Sequence, residues 1–375
     1  MKIGLLGAGT IGFGVYEILK NMPEIELKTV LDRREIPELK GKLTQNVDDI
    51  LNDPEIDAVV ELLGGIEPAH DWAVKAMRAG KSFVSANKLM ISENLPELTK
   101  TAADCGVGLR FSAAVGGGIP YLFNLLRARR ADRVLEIGGI LNGTTNYMLD
   151  LMQNRHIGFD AALKLAQDAG YAEADPTADV SGGDAKCKIT LASSIAWNGM
   201  VNKADVLCEG ITSISGADMD AVLGTGRVCK LLARAAKRDG GISCYVEPFV
   251  VDKNSVIGNI ALVENAAYWR GENAGLQRFT GAGAGRYATA YAVVNDLIDL
   301  VENPGAFRFT VNEAPLTVDN SAEAHRYLTR GLDLPGQEVL PGYLLTEEMS
   351  VRDMHRLAAE QRASGKNVFF AGVIE

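Results

Sequence analysis

The chain has 375 residues, room for two domains and an appendage, and its apolar and charged fractions of 47% and 23% are those of an ordinary globular protein. A net charge of −10 argues against nucleic acid or an anionic membrane as the main partner, and no apolar run approaches the roughly 18 residues that span a bilayer. Five cysteines without a Cys-x-x-Cys pair and four histidines without zinc-ligand spacing point to reduced thiols, a cytoplasmic protein and no transition metal.

Ile3–Leu6 reads as a buried strand rather than a signal peptide, because it runs directly into Gly7-Ala8-Gly9-Thr10-Ile11-Gly12. Apolar residues then recur at Ile11, Val15, Ile18, Leu19 and Met22, with helical spacing. Strand, glycine loop and helix in that order are the setting a dinucleotide fingerprint requires. Gly7 permits the tight turn, Gly9 lets a pyrophosphate approach the backbone, and Gly12 lets helix and strand pack closely. The helix amino terminus at Thr10 and Ile11 offers N–H groups and a positive dipole end to phosphates. A second strand, Leu27–Leu31, ends at Asp32, about twenty residues beyond Gly12, where an acidic residue holds an adenosine ribose.

Alternation continues through Ala58–Leu63, a helix over His70–Arg78, Ser82–Ala86, a helix over Glu93–Ala103, and Gly108–Ser112. The pattern is that of an α/β, doubly wound parallel sheet, whose carboxyl-edge loops carry the ligand. Two such loops are Leu63-Gly64-Gly65 and Ser85-Ala86-Asn87-Lys88; position alone favours Lys88 as a solvated helix-starting charge. The carbonyls of Val115-Gly116-Gly117-Gly118-Ile119-Pro120 could coordinate a hard cation, although a turn before the helix at Tyr121–Leu126 is the plainer reading.

Val134–Leu141 is an apolar strand ending in Asn142-Gly143-Thr144-Thr145-Asn146-Tyr147, either a helix cap or a ligand-facing polar run. The stretch Gly170–Lys188 packs four carboxylates, two lysines, a proline and three glycines ahead of an apolar helix, Ile189–Trp197. If that helix begins near Gly183, Asp184 and Lys188 share a face. Spacing alone leaves open an exposed ion pair or a functional one; Glu173 and Asp179 upstream suit a cationic amine. A helix over Met219–Lys237 and strands at Ile242–Val251, Val256–Tyr268 and Leu276–Thr280 describe a second α+β domain with a mixed or antiparallel sheet. Gly281-Ala282-Gly283-Ala284-Gly285 feeds a helix, Tyr287–Val301, which either returns to close the cofactor pocket or simply packs tightly. The expected division is a dinucleotide-binding domain over 1–130, rejoined by a helix over 285–303, a substrate and dimerisation domain over 131–284, and a tail over 304–375. The tail holds one amphipathic stretch around Met349–Ala359 and no legible chemistry.

These runs together resemble the homoserine dehydrogenase family over roughly Met1–Asn303. The resemblance rests on Gly-Ala-Gly-Thr-Ile-Gly at 7–12, Ser-Ala-Asn-Lys at 85–88, Asn-Gly-Thr-Thr-Asn-Tyr at 142–147, the run at 170–179, Gly-x-Asp-x-x-x-Lys at 182–188 and Gly-Ala-Gly-Ala-Gly at 281–285. It implies a Rossmann domain with a second substrate and dimerisation domain, and a homodimer or homotetramer. It also implies interconversion of L-homoserine and L-aspartate 4-semialdehyde with NAD or NADP, on the route to threonine and methionine. By resemblance Lys188 is the acid/base, Asp184 lies beside it, and Lys88 reaches toward cofactor and substrate. Glu173 takes the substrate ammonium with Asp179 nearby, and Gly170 and Gly285 line the cofactor site.

The chain departs from the family in two places. The family commonly has glutamate where Ser112 stands, and that carboxylate helps hold sodium near carbonyls corresponding to Val115, Gly117 and Ile119. A neutral serine is a weaker ligand, so little sodium dependence is expected. Many members end in an ACT regulatory domain; this tail does not follow that pattern, and threonine feedback is not expected. Asp32 can accept both ribose hydroxyls of NAD and repels a 2′-phosphate, whereas Arg33 and Arg34 could bind one. The balance favours NAD. The alternatives are a relative acting on another small amino-acid aldehyde or hydroxy acid, and a non-catalytic nucleotide sensor; retention of Lys88, Glu173, Asp184 and Lys188 argues against the sensor.

Overall fold

A computed structural model describes residues 1–303 and 309–374. The first four residues to be buried in sequence order, Ile3 to Leu6, already sit in a central strand of a sheet. β1 (Lys2–Leu6), α1 (Thr10–Leu19), β2 (Glu26–Leu31), β3 (Leu43–Thr44), β4 (Ala58–Glu61), β5 (Ser82–Ser85), α2 (Lys88–Cys105) and β6 (Leu109–Arg110) follow one another. The six strands line up as β3-β2-β1-β4-β5-β6, all parallel. That is the Rossmann order, and it reverses between β1 and β4, where the diverging loops leave a nucleotide crevice. Ile3, Leu5, Val30, Val60 and Val84 are fully buried, as strands covered on both faces require.

This sheet belongs to a compact unit made of Met1–Arg127, Trp197–Met200 and Ala282–Ala314. A second unit comprises Ala128–Ala196, Val201–Gly281 and the chain from Pro315 onward. Its elements begin with β7 (Val134–Ile140), α3 (Gly143–Arg155), α4 (Gly183–Trp197) and α5 (Gly216–Gly224), then β8 (Arg227–Arg238), β9 (Gly241–Asp252), β10 (Glu264–Gly271) and β11 (Gly275–Ala282). α4 is buried along nearly its whole length, which its all-round apolar composition after Lys188 demands. The chain then re-enters the first unit as α6 (Arg286–Glu302). There Ala290, Val293, Val294, Leu297 and Leu300 join the core formed by β1, β2, β4, β5 and α1. Fully burying a side chain such as Leu297 contributes about 1.5–3 kcal/mol.

Two expectations are corrected here. Met219–Lys237 is not one helix: α5 stops at Gly224, and Arg227–Arg238 is a strand paired along its whole length with β9 and also with β7. Leu231-Leu232-Ala233-Arg234-Ala235-Ala236 are good helix formers, but the strand is buried on both faces, so the alternation that would mark it is missing and tertiary pairing prevails. The strand read at Val256–Tyr268 starts only at Glu264. The carbonyls of Ile260, Leu262 and Glu264 instead take the side-chain amide of Asn146, at 3.0–3.2 Å, which replaces a ladder.

The tail, from Pro315 onward, packs as part of the second unit. Its first residues, 304–308, lie outside the described ones. Beyond them β12 (Tyr327–Arg330), β13 (Gly336–Leu340), β14 (Tyr343–Thr346), α7 (Val351–Ala363) and β15 (Phe369–Val373) complete the second sheet. Its order is β11-β10-β7-β8-β9-β15-β12-β14-β13, with β15 running parallel to β9. Fully buried Glu247 on β9 is hydrogen-bonded to His355 at 2.9 Å and to Tyr327 at 3.3 Å, so the tail contributes polar as well as apolar packing.

Candidate active site

Within the first unit, Gly7 leaves β1 at φ +95°, in the left-handed region, and its N–H donates to the Leu31 carbonyl at 2.9 Å. Gly12 lies against it: a Cβ there would fall 2.1 Å from the Gly7 carbonyl oxygen. Among the described residues nothing lies within 4 Å of where a Gly9 Cβ would stand, and none of them caps the first N–H groups of α1, which starts at Thr10, with its side chain. Thr10 is exposed and Ile11 half-buried at this end. Bare donors, a positive dipole end and open space before Gly9 fit a pyrophosphate.

Asp32 closes β2, but its carboxylate is already engaged. Arg34 donates from Nε to Oδ1 at 3.0 Å and from Nη2 to Oδ2 at 2.9 Å, and the Ala8 N–H donates to Oδ2 at 3.0 Å. The same Nη2 reaches the Ala8 carbonyl at 2.9 Å. The Arg34 guanidinium holds the Asp32 carboxyl well below the usual carboxylate range. Arg34, although its side chain is exposed, is therefore tied to the fingerprint loop.

The neighbouring edge loops are organised by Glu61, which the sequence reading passed over. Its buried carboxylate accepts from Leu63 N–H at 2.7 Å, Gly64 N–H at 3.2 Å and the Ser85 hydroxyl at 2.7 Å. Asn87 donates to the Gly65 carbonyl at 2.6 Å and caps α2 through Met90 N–H. Lys88, half-buried, is thus fixed as the first residue of α2 at the carboxyl edge of the sheet. An acidic residue ending an apolar strand just before Leu62-Leu63-Gly64-Gly65 was the available signal.

Val115 and Ile119 are buried, and Gly117 lies so close to Gly283 that a Cβ would meet its carbonyl oxygen at 2.5 Å. Ser112 turns to Asp296 on α6, donating its N–H at 2.8 Å and its hydroxyl at 2.6 Å. Burial pushes the Asp296 carboxyl up to about 7. Gly285, exposed at φ +106°, is the N-cap of α6.

Within the second unit, Asn142 caps α3 by accepting from Thr145 N–H at 2.8 Å. Its amide Nδ2 donates to Asp179 at 2.7 Å and to Asp184 at 2.9 Å. Lys188 Nζ donates to the same Asp184 oxygen at 2.7 Å and to the Leu141 carbonyl at 2.6 Å. Asp184 and Lys188 stand one turn apart on α4, and their side chains are only 9% and 11% exposed, so this is not a surface pair. The structure thus brings Asp179, Asp184 and Lys188 into one cluster and adds Asn142, whose double role spacing could not reveal. Glu173 and Gly170 lie exposed on the adjoining loop. That loop is held by the Thr144 hydroxyl donating to the Tyr171 carbonyl at 2.6 Å and by edge-to-face contact of Tyr147 with Tyr171. The cluster offers a buried ammonium, two carboxylates and a helix amino terminus, the equipment to hold a small polar substrate and move a proton.

The model of the family "Homoserine dehydrogenase" matches residues 120–298, and "Homoserine dehydrogenase, NAD binding domain" matches residues 7–112. The homoserine dehydrogenase of Synechocystis is 41% identical over 317 residues, covering 80% of this chain and 73% of its own. That of Neisseria gonorrhoeae is 32% identical and covers 100% of this chain and 89% of its own. Among solved structures, a homoserine dehydrogenase from Thiobacillus denitrificans superposes with a TM-score of 0.88 at 31% identity, covering 100% of this chain and 98% of that one.

Proposed function

From the homoserine dehydrogenase family, to which this chain belongs, we propose that Lys188 is the acid/base of the reaction and that Asp184, Asp179 and Glu173 serve its substrate. The reaction itself is the NAD(P)-dependent oxidoreduction of homoserine, which interconverts L-homoserine and L-aspartate 4-semialdehyde in amino-acid biosynthesis. The observation that carries the reading is the arrangement of the Lys188 ammonium. It has three N–H donors, and two are taken by Leu141 and Asp184. The third is assigned to the reacting oxygen.

When bound, the nicotinamide cofactor supplies or accepts the hydride. Gly7, Gly9, Gly12 and the start of α1 at Thr10 and Ile11 would hold its pyrophosphate, and Asp32 its ribose, with Gly170 and Gly285 assigned as lining residues. Toward homoserine, negative charge grows on the aldehyde oxygen; Lys188 stabilises it through the third N–H and passes that proton to it. In the opposite direction neutral Lys188 accepts the hydroxyl proton. Asp184 and the Leu141 carbonyl orient Nζ, and Asn142 fixes Asp184 beside Asp179. Lys88 is assigned as the cation on the cofactor's side.

Glu173 is assigned to the substrate ammonium, on an exposed loop with its carboxylate open to solvent. Glu173→Ala is expected to raise KM for homoserine about 10-fold or more, the worth of a lost charge-assisted contact, with cofactor affinity unchanged. An effect confined to cofactor binding would remove Glu173 from the substrate.

The preferred cofactor on this reading is NAD. Asp32 is assigned to the ribose hydroxyls, which would take the place of part of its pairing with Arg34, and its carboxylate would repel a 2′-phosphate. Spectrophotometric assay of homoserine oxidation with NAD and, separately, NADP tests both activity and preference. Asp32→Ser is expected to shift the ratio of kcat/KM about tenfold toward NADP, most clearly at low salt, because it removes the repulsion and releases Arg34. A wild type that already prefers NADP, with a ratio the substitution leaves alone, would sink the assignment.

Ser112 spends its N–H and hydroxyl proton on Asp296 and brings no charge of its own to the carbonyls of Val115, Gly117 and Ile119. Activity in sodium-free buffer is expected to match that after sodium is added; saturable activation would show that the carbonyls suffice.

A further inference from the structure

The tail reaches the turn that launches the Lys188 helix. On α7, Arg362 donates from Nη1 and Nη2 to the two carboxylate oxygens of Glu209 at 2.7 and 2.8 Å, a bidentate pair. The Ser213 hydroxyl donates to the same carboxylate at 3.0 Å, and Glu209 N–H anchors on the Val246 carbonyl of β9 at 2.8 Å. The loop so held presses on residues 180–182. Ile211 N–H donates to the Val180 carbonyl at 2.8 Å, and the Cys208 thiol donates to the Ser181 carbonyl at 3.3 Å. Gly210 is against the same backbone: a Cβ there would fall 2.2 Å from the Val180 carbonyl oxygen.

Residues 180–182, with Gly183, are the link between Asp179 and Asp184, and the Gly182 carbonyl accepts from Lys186 N–H at 2.8 Å in the first turn of α4. We propose that Arg362 is a positioning residue for the reaction: through Glu209 and the 208–211 loop it fixes the turn that sets Asp179, Asp184 and Lys188 in register. The inference rests on the assignment of Lys188 as acid/base. The same residues border a cleft of about 460 Å³ with Ser181, Lys366 and Asn367. The charges of Arg362 and Glu209 are spent on each other there, so the cleft is the solvent side of a brace.

Displacements of an ångström at a reacting group can cost two orders of magnitude in rate, and a loosened brace is expected to cost about one. Arg362→Met keeps an unbranched stem and removes the fork, together with the guanidinium's approach to the Phe370 ring; Glu209→Gln is its isosteric counterpart and leaves that approach in place. In the full chain, each is expected to lower kcat with homoserine about tenfold while leaving the Kd for NADH, read by nicotinamide fluorescence, unchanged. The double variant should lose no more than either single, and Arg362→Lys should recover part of the loss. A folded Arg362→Met with kcat within about twofold of wild type, or losses that multiply in the double variant, overturns the proposal. Should Arg362→Met not fold, Glu209→Gln decides by the same criterion. Lys188→Ala, run alongside, separates the two assignments. If it still turns over, the acid/base reading falls; if it is inactive while Arg362→Met is undiminished, the brace alone falls.

Discussion

Lys188→Ala is expected to lose about 10²–10⁴ in turnover with homoserine, the range for a missing general acid/base, and still to bind cofactor. The substitution removes the ammonium from a cluster in the second unit, whereas the fingerprint glycines and the bare start of α1 lie in the first and are untouched. It also takes the Lys188 ammonium away from the buried Asp184 carboxylate, which costs stability. The measurement is therefore made on protein shown by circular dichroism to be folded, with NADH fluorescence reporting cofactor binding. Turnover near the wild-type value would take Lys188 out of the mechanism.

Gly12→Ala is expected to act on the other half of the reaction, raising the Kd for NADH by about tenfold or more and lowering the melting temperature. The added methyl would sit 2.1 Å from the Gly7 carbonyl oxygen, and that neighbour is backbone, which cannot swing away as a side chain would. Overpacking of this kind costs about 1–3 kcal/mol, and here the strain falls on the loop to which we assign the pyrophosphate. Fluorescence titration with NADH decides it; unchanged affinity would mean that the loop can shift without loss.

The nucleotide half was legible because its demands are local. Gly7, Gly9 and Gly12 each answer a requirement met within a dozen residues of chain, and the strand–loop–helix order can be read directly. Asp184 and Lys188 were legible as a pair from their i, i+4 spacing; their burial was not, because it depends on Leu141 and Asn142 lying beside α4. Asp296 escaped notice for the same reason: its partner Ser112 lies far away in the chain. β8 was misread because a strand buried on both faces shows no alternation, and its Leu, Ala and Arg residues favour a helix in isolation. The tail's strands are short, and their pairing with β9 and with one another is invisible to any local pattern.

Neither unit is contiguous in the chain, and this has a consequence for the order in which the protein acquires its structure during synthesis. The nucleotide-binding sheet is complete by β6, yet the residues of α6 that cover it are made only after most of the second unit. The second sheet waits longer, since β15, the parallel neighbour of β9, is made after α6. A nascent chain paused before α6 carries an uncovered apolar sheet face, and one paused before β15 carries β9 with an open side, surfaces that invite association with other chains. Closure of the first unit is thus tied to α6 and that of the second to β15, and a ribosome that stalls between β6 and α6 leaves both units unfinished.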